Sequence, residues 1–102
     1  MKLEFSDRAK ADLKSISEFT LRKWGAKQQR RYSKLMREAF KRIRRNPAIA
    51  RIRDDIGHAY RSLPIGRHTV FFKVSNERID VIRVLHSHMD AAAHLRTDNE
   101  VE

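Results

Sequence analysis

The sequence predicts an α+β domain: an N-terminal strand and an antiparallel helical hairpin packed on a three- to four-stranded antiparallel sheet, then a short C-terminal helix. Two observations lead to this prediction. Residues 9–43 carry apolar side chains at helical spacing, and residues 59–85 contain three runs rich in Val, Ile, Phe and Tyr, separated by turn residues. The 102 residues suffice for one domain, which we assign to residues 1–96, with a polar tail at residues 97–102.

The N-terminal segment predicts a short strand followed by a helix. Polar and apolar residues alternate over Lys2–Phe5, a pattern typical of a strand that can join the edge of a sheet. Ser6 is a suitable N-cap for the helix that follows, and Gly25 is a suitable C-cap. Phe19 flanks the apolar stripe of this helix. The members of the stripe are Ala9, Leu13, Ile16, Thr20 and Trp24.

A second helix follows almost at once, with an apolar stripe and a basic face. The apolar stripe consists of Tyr32, Leu35, Met36, Ala39, Phe40 and Ile43. The basic face consists of Lys27, Arg30, Lys34, Arg37, Lys41 and Arg44. Asn46 and Pro47 end this helix, because proline has no amide hydrogen and restricts the residue before it. The two helices therefore form a hairpin, and residues 47–58 are a linking loop with room for one turn of helix.

Three strands are predicted over residues 59–63, 68–74 and 79–85, with hairpin turns between them at residues 64–66 and 75–77. In the third strand, strict alternation places Ile79, Val81, Arg83 and Leu85 on one face. The same alternation places Asp80, Ile82, Val84 and His86 on the other. Apolar residues on both faces indicate a central strand with helices on one side and partial cover on the other. A short helix is expected from Asp90.

The composition limits the partners and the compartment. The formal net charge of +10 attracts an acidic or polyanionic partner, and eleven Lys and Arg with a single acid, Glu38, lie between Arg22 and Arg45. Without cysteine, neither a disulfide nor a thiolate zinc site is possible, and a reducing cytoplasm is the expected location. The first residues carry charges throughout, so we expect neither a signal peptide nor contact with a membrane.

Three histidines close to Arg83 are candidates for acid–base chemistry. His86, His88 and His94 lie within nine residues, and imidazoles beside a guanidinium can act on RNA. The alternative is that they are ordinary polar residues of a strand end and a helix face. Their spacing matches no recurrent pair of metal ligands, and no carboxylate or thiolate completes a set, so no metal is expected. No glycine-rich phosphate loop is present, and no cofactor is expected.

Two other segments are candidates for partner contacts. The basic face of the second helix can follow phosphates or an acidic chain, or be an ordinary solvated surface. The turn before His68 can present Arg61, Arg67 and His68 near a groove, or be a plain hairpin turn. The nearby aromatics Trp24 and Tyr32 belong to the apolar stripes, so we interpret them as core residues.

Three segments together resemble the ParE branch of the RelE/ParE toxin superfamily: KADLKSISEFTLRKWG, YRSLPIGRHTVFFKV and IDVIRVLHSHMDAAAHL. The resemblance extends over nearly the whole chain, from Lys2 to Leu95, and the segments occur in the order of the family. It implies the toxin half of a bacterial type II toxin–antitoxin module. The fold of the family is the strand, helical hairpin and antiparallel sheet that the periodicity predicts independently.

Resemblance to ParE implies a non-enzymatic inhibitor of DNA gyrase. It also implies a ParD-like antitoxin that neutralises the toxin in a hetero-oligomer and alone contacts operator DNA. Candidates for contact with the target are Arg61, Arg67, Arg83 and His88. Candidates for contact with the antitoxin are Arg30, Lys34, Arg37 and Lys41.

Resemblance to RelE instead implies cleavage of messenger RNA in the ribosome. That branch uses an arginine in the strand that matches residues 68–74, a basic residue after the last strand and a tyrosine in the final helix. Thr69, His88 and His94 stand near these three positions here. The catalytic residues under this alternative are Arg83, His86, His88 and His94. A DNA-binding or chaperone-like adaptor is a third interpretation, without a recognition helix to support it.

Overall fold

The computed structural model describes residues 1–100 and has the predicted α+β architecture. Its elements in chain order are β1 (Lys2–Phe5), α1 (Asp7–Trp24), α2 (Ala26–Arg45), a 3₁₀ turn (Pro47–Ile49), β2 (Arg51–Ile52), β3 (Tyr60–Ile65), β4 (His68–Val74), β5 (Arg78–His86) and α3 (Ala91–Glu100). Among these residues no helix is both long and apolar enough to cross a membrane.

The sheet has five strands in the order β1-β5-β4-β3-β2, rather than the three or four predicted. β1 pairs in parallel with β5, placing Leu3 opposite Ile79, and the remaining neighbours are antiparallel. The additional strand, β2, contains two residues and lies in the predicted loop. It was not predicted because so short a strand shows no alternation in sequence. β3 continues through Ile65, so the turn before β4 contains only Gly66 and Arg67.

The predicted ends of the two long helices are confirmed. The Ser6 hydroxyl accepts a hydrogen bond from the Ala9 amide at 3.0 Å and donates one to the Ile82 carbonyl at 2.7 Å, so this N-cap also fixes α1 to β5. Gly25 separates the helices with a φ of 92°, a region that L side chains rarely adopt. Asn46 ends α2 and caps the 3₁₀ turn through its side chain.

The main core lies between the helical hairpin and one face of the sheet. The helices contribute Ala9, Met36, Ala39, Phe40 and Ile43, and the sheet contributes Val70, Phe72, Ile79, Val81 and Val84. Phe72 is fully buried, and the ring of Phe40 packs edge to face on that of Phe5 with centroids 5.0 Å apart. Leu35, predicted in the apolar stripe of α2, is 42% exposed because it lies at the edge of that stripe.

A smaller cluster covers the opposite face of the sheet. It consists of Tyr60, Phe71, Leu85 and Leu95, with Ile56, Ile82 and Ala91 packed against it. α3 and the segment between β2 and β3 therefore give this face the partial cover that the sequence predicts. α3 extends to Glu100, so residues 97–100, predicted as tail, are helical, and residues 101–102 lie outside the described residues.

A β-bulge in β5 changes which face of the sheet its later residues lie on, contrary to the prediction of strict alternation. Phe71 lies opposite Arg83 whereas Phe72 lies opposite Val81, which leaves Ile82 without a partner in the register. An inserted residue reverses the alternation beyond it. Val84 therefore joins Val81 in the core under the helices, whereas Leu85 lies on the opposite face. The predictions that Leu85 shares the face of Val81 and that Val84 lies on the other face are both wrong.

Candidate binding groove at the tip of the helical hairpin

A groove of about 460 Å³ opens where the junction of α1 and α2 meets the turn between β3 and β4. We call it the tip groove. Its lining residues are Phe19, Thr20, Lys23, Trp24, Gln28, Tyr32, Arg67, His68 and His86. The groove thus combines aromatic, cationic and imidazole side chains that come from both halves of the chain.

The Tyr32 hydroxyl connects α2 to the turn that forms one wall of the groove. It accepts a hydrogen bond from the Arg67 amide at 3.0 Å, and it lies 3.1 Å from the Ile65 carbonyl oxygen and 2.6 Å from His68 Nδ1. The hydroxyl hydrogen can be donated to the Ile65 carbonyl if His68 Nδ1 carries a proton, or to Nδ1 if it does not. In both arrangements the phenol fixes the position of the turn.

Gly66 permits this contact. Its φ is 59°, and a Cβ atom at this position would lie 2.7 Å from Cε1 of Tyr32. A side chain here would therefore meet the tyrosine ring as well as an unfavourable backbone conformation. The hairpin turn therefore also holds the Tyr32 side chain in place.

Burial changes the acidity of both partners in this contact. Burial raises the pKa of the Tyr32 hydroxyl above its ordinary value of 10.0. Burial is also the largest cause that lowers the pKa of His68 below 6.5, followed by electrostatic interaction with His86 and Arg67. His68 is therefore mainly neutral at neutral pH.

Three imidazole rings form a row from the groove to the end of β5. The centroids of His68 and His86 are 5.3 Å apart in an edge-to-face arrangement, and those of His86 and His88 are 4.9 Å apart in a stacked one. The His88 amide donates to His86 Nδ1 at 3.2 Å, so that nitrogen acts as an acceptor. The fold thus joins His86 and His88 to His68, which lies far from them in sequence.

The outer wall of the groove is aromatic and cationic. Phe19 is 50% exposed and Trp24 is 51% exposed. Lys23 Nζ lies 5.5 Å from the ring centroid of Trp24 and 5.7 Å from that of Phe19, and Arg67 Cζ lies 5.3 Å from that of Trp24. The interpretation of Trp24 as a core residue is wrong, because the stripe of α1 packs on the core only through its earlier turns.

The other predicted target contacts have partners within the molecule. The Arg83 guanidinium donates to both carboxylate oxygens of Asp12 at 2.8 and 3.0 Å, and their side chains are only 13% and 15% exposed. Arg61 Nη1 donates to the Ala50 carbonyl at 3.3 Å. Of the four candidates, Arg67 lines the tip groove and His88 adjoins it through His86, whereas Arg61 and Arg83 lie elsewhere.

The residues of the nuclease alternative are only partly brought together. His86 and His88 stack, but Arg83 is paired with Asp12 between α1 and β5, and His94 lies on α3. No group of three or more His, Cys, Asp or Glu in the described part of the chain has an arrangement that could hold a metal ion.

The four candidates for antitoxin contact, Arg30, Lys34, Arg37 and Lys41, are all exposed along α2. Arg37 also borders a second groove of about 270 Å³ between α1 and α2, which we call the hairpin groove. Leu13, Ile16 and Met36 are among its lining residues, so a cationic rim adjoins an apolar floor.

Comparison with known families gives a match over most of the chain. Residues 3–91 match the model described as ParE toxin of type II toxin-antitoxin system, parDE. Toxin ParE1 of Mycobacterium tuberculosis is 41% identical over 91 residues, which cover 88% of this chain and 93% of that protein. Toxin ParE1 of Caulobacter vibrioides is 36% identical over 90 residues, with the same shares covered.

Solved structures show the same fold at low sequence identity. A chain of the chromosomal ParDE TA system from P. aeruginosa has a TM-score of 0.73 at 19% identity, covering 84% of this chain and 95% of that one. A YoeB/ParE toxin from Agrobacterium tumefaciens has a TM-score of 0.60 at 20% identity, covering 86% of this chain and all of the other.

Proposed function

The chain belongs to the ParE toxin family of type II toxin–antitoxin systems, and from this premise we propose that it arrests growth by binding DNA gyrase in the bacterial cytoplasm. Inhibition is by binding and not by catalysis. A ParD-like antitoxin neutralises the toxin in a hetero-oligomer, and only the antitoxin contacts operator DNA.

The observation that carries this proposal is the pairing of Arg83 with Asp12. Cleavage of RNA by side chains needs a proton acceptor, a proton donor and a cation for the charge that develops on phosphorus. Arg83 is the cation among the residues of the nuclease alternative, and both carboxylate oxygens of Asp12 hold its guanidinium away from solvent. This arrangement supports a structural role for Arg83 and favours inhibition by binding.

The proposed antitoxin surface rests on charge and shape. Of the cationic side chains on α2, only Lys41 has a carboxylate partner within the described residues, Glu38 at 3.7 Å. An acidic antitoxin with apolar residues at helical spacing can place carboxylates on this rim and apolar side chains in the hairpin groove. Association is then steered by charge, while apolar contacts keep the complex together once salt screens the charges.

Purified gyrase and programmed ribosomes together test the function. We expect the toxin to inhibit supercoiling of plasmid DNA and to leave messenger RNA on ribosomes intact. Single changes of His88 or His94 to Ala should leave inhibition within about five-fold of wild type, since a contact at the rim of an interface contributes less than about 1 kcal/mol. Loss of all toxicity in a folded histidine variant, with messenger cleaved in the ribosome, would establish the nuclease alternative instead.

A salt titration tests the antitoxin surface. The association rate with the protein encoded next to the toxin should fall as salt rises, and charge reversal at Lys34 or Arg37 should lower it further. Binding kinetics at two salt concentrations measure both effects. Absence of binding at every salt concentration would contradict neutralisation by that partner.

A further inference from the structure

The tip groove has the composition of a protein-binding site, and within the described part of the chain its aromatic wall remains half exposed. Phe19 and Trp24 are each about half exposed, although large aromatic side chains on a surface are costly unless a partner covers them. Tryptophan, tyrosine and arginine are the residues most enriched at the energetic centres of protein interfaces, and Trp24, Tyr32 and Arg67 meet here. This combination points to a ligand with both apolar and charged groups.

The charge of the groove fixes the sign of its ligand. Lys23 and Arg67 stand at the aromatic wall, His68 and His86 lie deeper, and none of the described residues that line the groove is acidic. A partner that buries these cations must supply carboxylates or phosphates, because an uncompensated buried charge costs several kcal/mol.

We propose that the tip groove binds an acidic segment of the toxin's protein target, in which an aliphatic or aromatic side chain is flanked by Asp or Glu. The apolar side chain enters between Phe19, Trp24 and Tyr32, and the flanking carboxylates bind Lys23 and Arg67. This inference rests on the proposed function in one respect, that the target is a protein, gyrase.

The positions of the cations favour a peptide over a nucleic acid. Single-stranded nucleic acids bind such sites by stacking bases on open aromatic faces. Here Lys23 lies over both Phe19 and Trp24, and Arg67 lies over Trp24, so cations already cover the rings on which a base would stack. A carboxylate can bind these cations without displacing them from the rings.

The location of the groove favours the target over the antitoxin. Arg67, a predicted target contact, lines the tip groove, and His88, another, adjoins it through His86. The predicted antitoxin contacts lie along α2 instead. Thr20 and Tyr32 line both the tip groove and the hairpin groove. An antitoxin seated in the hairpin groove would therefore adjoin the target site and obstruct it.

A pair of charge reversals separates the two surfaces. Arg67→Glu should weaken binding of gyrase and inhibition by about ten-fold or more while antitoxin affinity changes less than about three-fold, because a reversed charge at an interface centre repels an acidic partner. Arg30→Glu is the matched control on α2 and should leave gyrase binding unchanged. Phe19→Ala removes apolar contact without changing charge and should also weaken gyrase binding. Melting temperatures confirm that each variant folds.

Trp24 is the only tryptophan in the chain and reports on the groove directly. A synthetic peptide of alternating Glu and Leu, which contains no tryptophan, should change Trp24 emission in the wild type and have a much weaker effect in Arg67→Glu. The same concentration of single-stranded oligonucleotide should produce a smaller change in emission than the peptide.

The outcomes distinguish an error in the inference about the tip groove from an error in the proposed function. If the wild type inhibits gyrase and Arg67→Glu inhibits it equally, the groove inference is overturned and the proposed function stands. If the wild type does not bind gyrase, the proposed function fails, and the peptide titration alone decides whether the groove takes acidic segments. Selective loss of antitoxin binding in Arg67→Glu, or a stronger response to the oligonucleotide than to the peptide, would also overturn the inference.

Discussion

The junction between α1 and β5 and the tip groove each contain an arginine that was predicted to contact the target, and the two regions use it differently. At the junction, the Arg83 side chain is 13% exposed and donates to both oxygens of Asp12. At the groove, Arg67 is exposed, and its guanidinium lies over the ring of Trp24. A buried charge needs a fixed partner, whereas an exposed one remains available to another molecule. Burial therefore separates a residue that stabilises the fold from one that can bind.

The same contrast applies to the aromatic residues. Phe72 is fully buried under the helical hairpin, and Phe19 is half exposed in the groove wall. The junction and the core beside it should respond to substitution through stability, and the groove should respond through affinity. Two matched pairs of substitutions test this division, beginning with the largest expected effect, and three further changes test the turn and the pH dependence.

Phe72→Ala tests the core. Removal of a fully buried phenylalanine should lower the free energy of unfolding by about 3 to 5 kcal/mol, because the apolar contacts are lost and a cavity remains. Phe19→Ala is the matched change in the groove and should cost less than about 1 kcal/mol, since half of that side chain is already in water. Denaturant unfolding measures both. Equal losses in the two variants would contradict the division.

Asp12→Ala tests the junction. The change leaves the guanidinium of Arg83 and the amide of Val84 without the carboxylate that bonds them at 2.8 and 2.9 Å. We expect a loss of about 3 kcal/mol in unfolding free energy, the usual cost when one partner of a buried pair is removed. Arg67→Ala removes an exposed charge and should change stability by less than about 0.5 kcal/mol. A small effect of Asp12→Ala would show that water replaces the carboxylate.

Gly66→Ala tests whether Tyr32 needs the close approach of the turn. Alanine at this φ costs about 1 kcal/mol, and its Cβ would displace the Tyr32 ring. The hydroxyl should then leave its buried position, and its pKa should return towards 10.0, which an alkaline absorbance titration detects.

Gly25→Ala is the control for that experiment. Its φ of 92° also disfavours alanine, but no atom lies within 4 Å of a Cβ built there. Stability should fall by about 1 to 3 kcal/mol from backbone strain alone, with no change in the titration of Tyr32. A shifted titration in this variant as well would mean that the signal reports general loosening of the hairpin.

Stability should depend on pH through His68. The pKa of His68 is lowered in the fold, so the neutral form is favoured there and its stabilising contribution is present above the unfolded value of 6.5. That contribution should be lost as the pH falls below 6.5 towards the folded pKa. His68→Gln should reduce the slope of unfolding free energy against pH between about pH 7 and pH 5. An unchanged slope would mean that groups other than His68 cause the pH dependence of the unfolding free energy.

Much of the fold could be predicted because its signals are local. Apolar spacing, the Ser6 and Gly25 caps and the stop at Pro47 all act within a few residues, and each is confirmed. The bulge at Ile82 gives no such signal, because it depends on how β5 meets β4. Strict alternation therefore misplaced Leu85.

The site was harder to predict because its contacts join distant parts of the chain. The pair of Tyr32 and His68 spans 36 residues, and neither residue has an unusual sequence context. The helical period placed Trp24 correctly on the stripe of α1, but a period does not reveal where the covering strands end. An exposed end of an apolar stripe, beside a glycine cap and a cluster of cations, is the signal that could have indicated the groove.

The strand order has a consequence for the synthesis of the toxin. β5 is the last strand in the chain, yet it lies between β1 and β4 and supplies Ile79, Val81 and Val84 to the main core. Residues 2–5 cannot pair in the sheet until residues 78–81 have been synthesised. A nascent chain is made at about 5 to 20 residues per second and emerges from its N-terminus, so the sheet cannot close until β5 has been synthesised. Prematurely terminated chains that lack β5 should be harmless to the cell that makes them.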